Sequence, residues 1–157
     1  MNTESELSGK SGLPLVRLSL IYPFLENLDA QKVDPDAILR EYGLSREAIA
    51  STDVFVPAMT VYKVIEAMSK AAQDPFLAVH VGESLDLSTW PVFTESVKHA
   101  SSFGDFFFRF AAEAMQQASS VQMRLDTDGK HATFCAHRVF EPTIVPAQAY
   151  AFYVGLF

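Results

Sequence analysis

The chain has 157 residues, 49% of them hydrophobic and thirteen of them phenylalanine, with a formal charge of −7. This length and apolarity fit one globular domain with a sizeable core, and the acidity opposes a large phosphate-binding surface, since affinity for nucleic acid rests mostly on Lys and Arg contacts. A single cysteine, Cys135, excludes an internal disulfide, and no stretch offers about eighteen unbroken apolar residues or the order of a signal peptide, so a cytoplasmic chain with no membrane partner is expected.

The polar start "MNTESELSGKSG" reads as a disordered tail over residues 1–12, followed by one domain over residues 13–157. In "LPLVRLSLIYPFLENLDAQK" apolar and polar residues alternate around Val16, Leu18 and Leu20, then take helical spacing after Pro23. Leu13 to Ile21 is ambiguous. In "VDPDAILREYGLSREAIA" Asp34 caps a helix, Pro35 takes its first position, Gly43 ends it in the left-handed conformation, and Ser45 caps a second helix. The outline is that of a DNA-reading helix-turn-helix. Its charges are Asp34, Asp36, Glu41 and Glu47 against Arg40 and Arg46, which suits a recognition helix poorly.

Pro57 opens a longer helix with Val61, Ile65 and Met68 on one stripe. Asp74-Pro75 starts "FLAVHVGESL", and Pro91 starts a helix in "TWPVFTESVKHA". Ser102 caps "SSFGDFFFRFAAEAMQQA", with Asp105 three residues on as an approximate capping box. Phe103, Phe106, Phe107 and Phe110 share one face of that helix, read as core. Phe108 and Met115 form a second apolar edge, either a self-association face or a surface packed on the Pro91 helix.

The period then becomes two in "SVQMRLDTDGKHATFCAHRVF". A two-residue turn at Asp128-Gly129 predicts Leu125 opposite Ala132, Met123 opposite Phe134 and Val121 opposite Ala136. The opposite face then holds Gln122, Arg124, His131, Thr133, Cys135 and His137, with His131 across from Asp126. "EPTIVP" is a connector. "AQAYAFYVGLF" starts a final helix that stops early, leaving Tyr150, Phe152, Tyr153 and Phe157 without cover. The fold class is α+β: a helix-rich domain with a carboxy-terminal antiparallel β-hairpin and a truncated final helix.

His131, Cys135 and His137 face one way, but at roughly 3.3 Å per residue His131 and Cys135 are about 13 Å apart, too far to share an ion. Cys135 and His137 alone make neither a metal site nor a nucleophile with its orienting group. There is no glycine-rich phosphate loop, nucleophile elbow or helical zinc motif. No catalytic residue, metal ligand or cofactor is expected, and the chain is not read as an enzyme. Trp90 and Phe93 are the candidates for lining an apolar ligand pocket.

In order, "VDPDAILREYGL", "VPAMTVYKVIEAMSKAAQDPFLAVHVGESL", "KHASSFGDFFFRFA" and a hairpin resemble the amino-terminal arabinose-binding-type domain of one branch of AraC-family transcriptional regulators. The match runs from about Leu15 to the end and departs at "STWPVF", where relatives carry glycine and small aliphatic residues. The resemblance implies an effector-sensing and dimerisation domain, incomplete at its carboxy end, whose partners are a small-molecule effector and a second copy. DNA binding would lie in a carboxy-terminal helix-turn-helix domain absent from these residues. The alternative is a stand-alone protein-interaction module without an effector.

Overall fold

The computed structural model describes residues 12–157; the expected tail lies outside them except for Gly12, which is exposed. Strand β1 (Leu15–Arg17) leads through a 3-10 turn (Leu18–Ile21) into α1 (Tyr22–Ala30). The ambiguous stretch is thus a strand and a turn in succession. Val16, Leu18 and Ile21 are buried, and Pro23 sits in the first turn of α1, where no N–H is needed.

Two short helices follow, α2 (Pro35–Glu41) and α3 (Arg46–Ala50), before β2 (Phe55–Pro57) returns antiparallel to β1 with Val16 opposite Val56. The Asp34 carboxylate accepts the Asp36 N–H at 2.8 Å, the Ser45 hydroxyl accepts that of Ala48 at 3.2 Å, and Gly43 takes φ +68° between them. Helices α4 (Ala58–Ala72), α5 (Leu77–Ser84), α6 (Pro91–Lys98) and α7 (Phe103–Gln117) then precede the hairpin of β3 (Val121–Thr127) and β4 (Ala132–Arg138). The Ser102 hydroxyl caps α7 by accepting the Asp105 N–H at 3.1 Å, while Asp105 reaches back to the N–H of Ser101, one residue before the cap, at 2.9 Å. Last comes α8 (Ala147–Leu156).

The core forms two clusters. One gathers Leu18 and Ile21, Leu25 and Leu28 of α1, the α4 stripe Val61, Ile65 and Met68, and Leu77 of α5. The other joins Val92 of α6, Phe110 and Ala111 of α7, and Met123 of β3. The phenylalanine stripe of α7 is graded: Phe110 is buried, Phe106 and Phe107 are half-buried, and Phe103 in the first turn is 77% exposed, stacked 6.3 Å from Phe106.

The hairpin register differs from the predicted one by two residues. Thr127 pairs with Ala132, Leu125 with Phe134, Met123 with Ala136 and Val121 with Arg138. The Asp128 side chain causes this, accepting the backbone N–H of Lys130 at 2.9 Å and of His131 at 2.7 Å while Gly129 takes φ +87°, so the loop closes over four residues, 128–131. A slip of two keeps each strand side chain on its face. Lys130 and His131 move into the loop, where His131 Nδ1 lies 3.2 Å from Asp128 Oδ2, and Asp126 pairs with Thr133 instead.

The final helix is covered in part by the chain itself: Phe152 and Tyr153 are half-buried, whereas Tyr150 and Phe157 stay 53% and 58% exposed, as the sequence reading expected for them. Apolar nearly all round, α8 inserts against α4 and α5, with Phe152 5.9 Å from Phe24 and 6.4 Å from Trp90. Phe157 packs on Phe107, Phe110 and Phe134 at 5.5–5.6 Å. Its first turn is capped from a distance: Glu66 Oε1 accepts the Gln148 N–H at 2.8 Å. The Gln148 side chain, in a residue only 4% exposed, donates to the Pro75 carbonyl at 2.9 Å and accepts the Ala78 N–H at 3.0 Å.

Candidate functional site

A cavity of about 120 Å³ lies where the two core clusters meet. Ile21, Phe24, Val61 and Ile65 wall it from the first cluster, Val92, Phe110 and Met123 from the second, and Phe152 and Tyr153 of α8 close it. Trp90, at the N-cap of α6, lies edge-on to Phe110 at 6.0 Å and to Phe152 at 6.4 Å and forms part of the lining. Phe93 does not line it. One turn along α6, its ring meets Phe106 of α7 at 5.2 Å and joins the two helices.

The polar lining includes Tyr62, Tyr150, Tyr153 and Arg138. Arg138 pairs with Val121 and lies on the same face of β4 as Phe134, and both are half-buried. Its guanidinium lies 4.5 Å from the ring centroid of Tyr150 and 5.6 Å from that of Tyr62. Its Nε is buried without a hydrogen-bond partner, and no ion pair among the described residues includes it. Tyr153 keeps part of its surface open, yet burial of the hydroxyl, aided by Tyr62, pushes its pKa up to about 12. The phenol therefore stays protonated at neutral pH and able to donate.

Sequence reasoning missed Tyr62, Tyr150, Tyr153 and Arg138. The tyrosines carry no local signal, because α8 meets α4 only through tertiary packing. Arg138 had one: extending the β4 alternation by two residues puts it on the apolar row.

Residues 33–156 match the family model described as the arabinose-binding domain of AraC transcription regulator, N-terminal. The chain belongs to this family. No curated protein gives a significant match. As a member, it is the effector-binding amino-terminal type of domain in a transcription regulator. The matched span contains Tyr62, Trp90, Phe110, Arg138 and Tyr153 of the cavity, whereas Val16, Leu20, Ile21 and Phe24 precede it.

Elsewhere on this arabinose-binding-type domain, α7 leaves Phe108 70% and Met115 42% exposed. Helix α6 packs on the Phe106 side, so Phe108 does not pack on the Pro91 helix. Arg46, the first residue of α3, donates to both oxygens of Asp29 at 2.7 and 2.8 Å and to Asp36 at 2.6 Å. The bonds to Arg46 hold the Asp29 carboxyl below the usual carboxylate range. On the outer hairpin face, Cys135 Sγ lies 3.6 Å from Asp126 Oδ2 and His137 is exposed. No group of three His, Cys, Asp or Glu among the described residues is placed to hold a metal ion. No helix among them is long and apolar enough to cross a membrane.

Proposed function

We propose that this domain senses a small-molecule effector in the cavity between its two core clusters and self-associates through the outer edge of α7 at Phe108 and Met115. It serves a cytoplasmic regulator whose DNA contacts are made by a carboxy-terminal helix-turn-helix domain. The observation that carries the reading is the position of the cavity. A ligand seated there touches α4 and the 3-10 turn on one side and α6, α7 and β3 on the other, so its binding depends on how the two clusters sit, which is what a sensor needs. An apolar wall suits a compact hydrophobic ligand better than a sugar, because each buried hydroxyl of a polyol requires a hydrogen-bond partner.

The exposed apolar edge of α7 favours a symmetric pair of copies. The acidity around α2 and α3, with Arg46 committed to Asp29 and Asp36, supports placing DNA recognition elsewhere. A thermal-shift screen with small carboxylates, alcohols, amides and sugars tests the sensor reading. A ligand present at about a hundred times its Kd should raise Tm by about 5–10 °C in a domain of this size. The interaction-module reading, which the exposed Phe108 also favours, expects no ligand in any class and a second protein on α7 instead.

A further inference from the structure

We propose that the effector is a monocarboxylate whose anionic end pairs with Arg138 and whose apolar body, about the size of one aromatic ring, fills the cavity beside Trp90. The proposal rests on the cavity being the sensor site and adds the chemical class of its ligand. An arginine with a buried Nε in a mostly apolar lining is costly unless something offsets its desolvation, since a guanidinium brings five N–H donors and one charge. Among the described residues no carboxylate pairs with it, and its Nε has no acceptor.

What Arg138 does have is two aromatic faces, Tyr150 at 4.5 Å and Tyr62 at 5.6 Å. Cation–π contact takes up the flat face of a guanidinium and leaves its N–H edge, the part that matches a carboxylate with two parallel hydrogen bonds. The tyrosines thus hold the group as a receptor for a planar anion. A single guanidinium matches one negative charge, which favours a carboxylate over a doubly charged phosphate monoester. The protonated Tyr153 hydroxyl in the same lining adds a donor that does not repel the anion.

The remainder of the site sets the body. Trp90, Phe152 and Phe110 form an aromatic group that shares no ring contact with the Tyr62 and Tyr150 pair, so apolar and anionic ends have separate partners. A cavity of about 120 Å³ is slightly smaller than an apolar cavity of about 150 Å³ that accepts benzene. That size suits an aromatic acid of one ring or a short aliphatic acid, and excludes a long unbent chain.

The test titrates the 157-residue chain with benzoate, phenylacetate and hexanoate, with the neutral analogues benzamide, benzyl alcohol and hexanol, and with phenyl phosphate. Calorimetry is run on the wild type, Arg138→Gln and Arg138→Lys, with near-UV circular dichroism to establish that each variant is folded. The carboxylates should bind at least about tenfold more tightly than their neutral analogues, a comparison that needs no variant. Arg138→Gln should weaken carboxylates roughly ten- to hundredfold and change neutral ligands by less than about twofold, with Arg138→Lys between. Neutral analogues binding as tightly as the acids, or carboxylate affinity unchanged in folded Arg138→Gln, overturns the proposal while leaving the cavity a sensor. Phenyl phosphate binding more tightly than benzoate overturns it in favour of a phosphate monoester. No binding in either the charged or the neutral series overturns both this proposal and the sensor reading.

Discussion

Gly82 of α5 and Gly155 of α8 hold their helices backbone to backbone. A Cβ on Gly82 would lie 2.7 Å from the Phe152 carbonyl oxygen and 2.8 Å from the Leu156 nitrogen, and one on Gly155 would strike the Val79 carbonyl. This approach brings α8 deep enough for Phe152 and Tyr153 to reach the cavity. In an open helix Gly→Ala stabilises by about 1 kcal/mol. Here, Gly155→Ala should instead destabilise by about 1–3 kcal/mol, because the clash is with backbone that cannot rotate away. Urea unfolding of the variant checks the sign, and a stabilised Gly155→Ala would mean that α8 does not pack this closely.

Gln148 joins three helices, and its removal should cost more than that of an exposed residue. Gln148→Ala leaves the buried Ala78 N–H without a partner and frees the more exposed Pro75 carbonyl, for an expected loss of about 1–3 kcal/mol. Gln148→Glu keeps the acceptor for Ala78 but turns a second oxygen on the Pro75 carbonyl, so it should not restore stability at neutral pH. Denaturant midpoints of the two variants measure this.

Phe108→Ser should weaken self-association and leave the folded subunit nearly unchanged, within about 0.5 kcal/mol, because the side chain is exposed. Sedimentation velocity over a concentration series reads the first effect and thermal melting the second. A wild-type chain that stays monomeric at every concentration removes the α7 edge as an interface.

Stability should fall at both ends of the pH scale for identifiable reasons. Hydrogen bonds from the Ser101 N–H to Asp105 and from the His131 N–H to Asp128 hold both carboxyls below the usual carboxylate range. Their contribution is complete above the unfolded value of about 4 and is lost as pH drops through the lowered native values. Tyr153 works in the opposite sense: its native pKa is raised from 10.0 to about 12, so its contribution is present below pH 10 and lost between about 10 and 12. Melting curves should show the wild type losing stability above pH 10 faster than Tyr153→Phe. Parallel curves would place the hydroxyl in water.

Much of the local structure was legible. The caps at Asp34, Ser45 and Ser102 follow from side chains that satisfy open N–H groups, and the Val61, Ile65 and Met68 stripe from helical spacing. The hairpin faces followed from alternation, but its register did not, because a turn signal at Asp128-Gly129 cannot show that the Asp128 carboxylate will close a longer loop. The cavity was hidden for a different reason. Trp90 breaks the pattern around Pro91 and so drew notice, whereas Tyr62, Arg138 and Tyr153 meet only when α8 docks between α4 and α5. The small residues that permit that docking, Gly82 and Gly155, lie far apart in sequence.

The central claim is that the effector binds between the two core clusters, and Trp90 can report on it directly. It is the chain's single tryptophan and lines the cavity. Its fluorescence should change saturably as a binding ligand is added to the wild type, with a midpoint equal to the calorimetric Kd. Ala114→Phe, which fills the cavity from α7, should remain folded and lose both signals. Saturable calorimetric binding that persists in the filled variant, or that leaves Trp90 fluorescence unchanged in the wild type, would put the effector elsewhere and contradict the account.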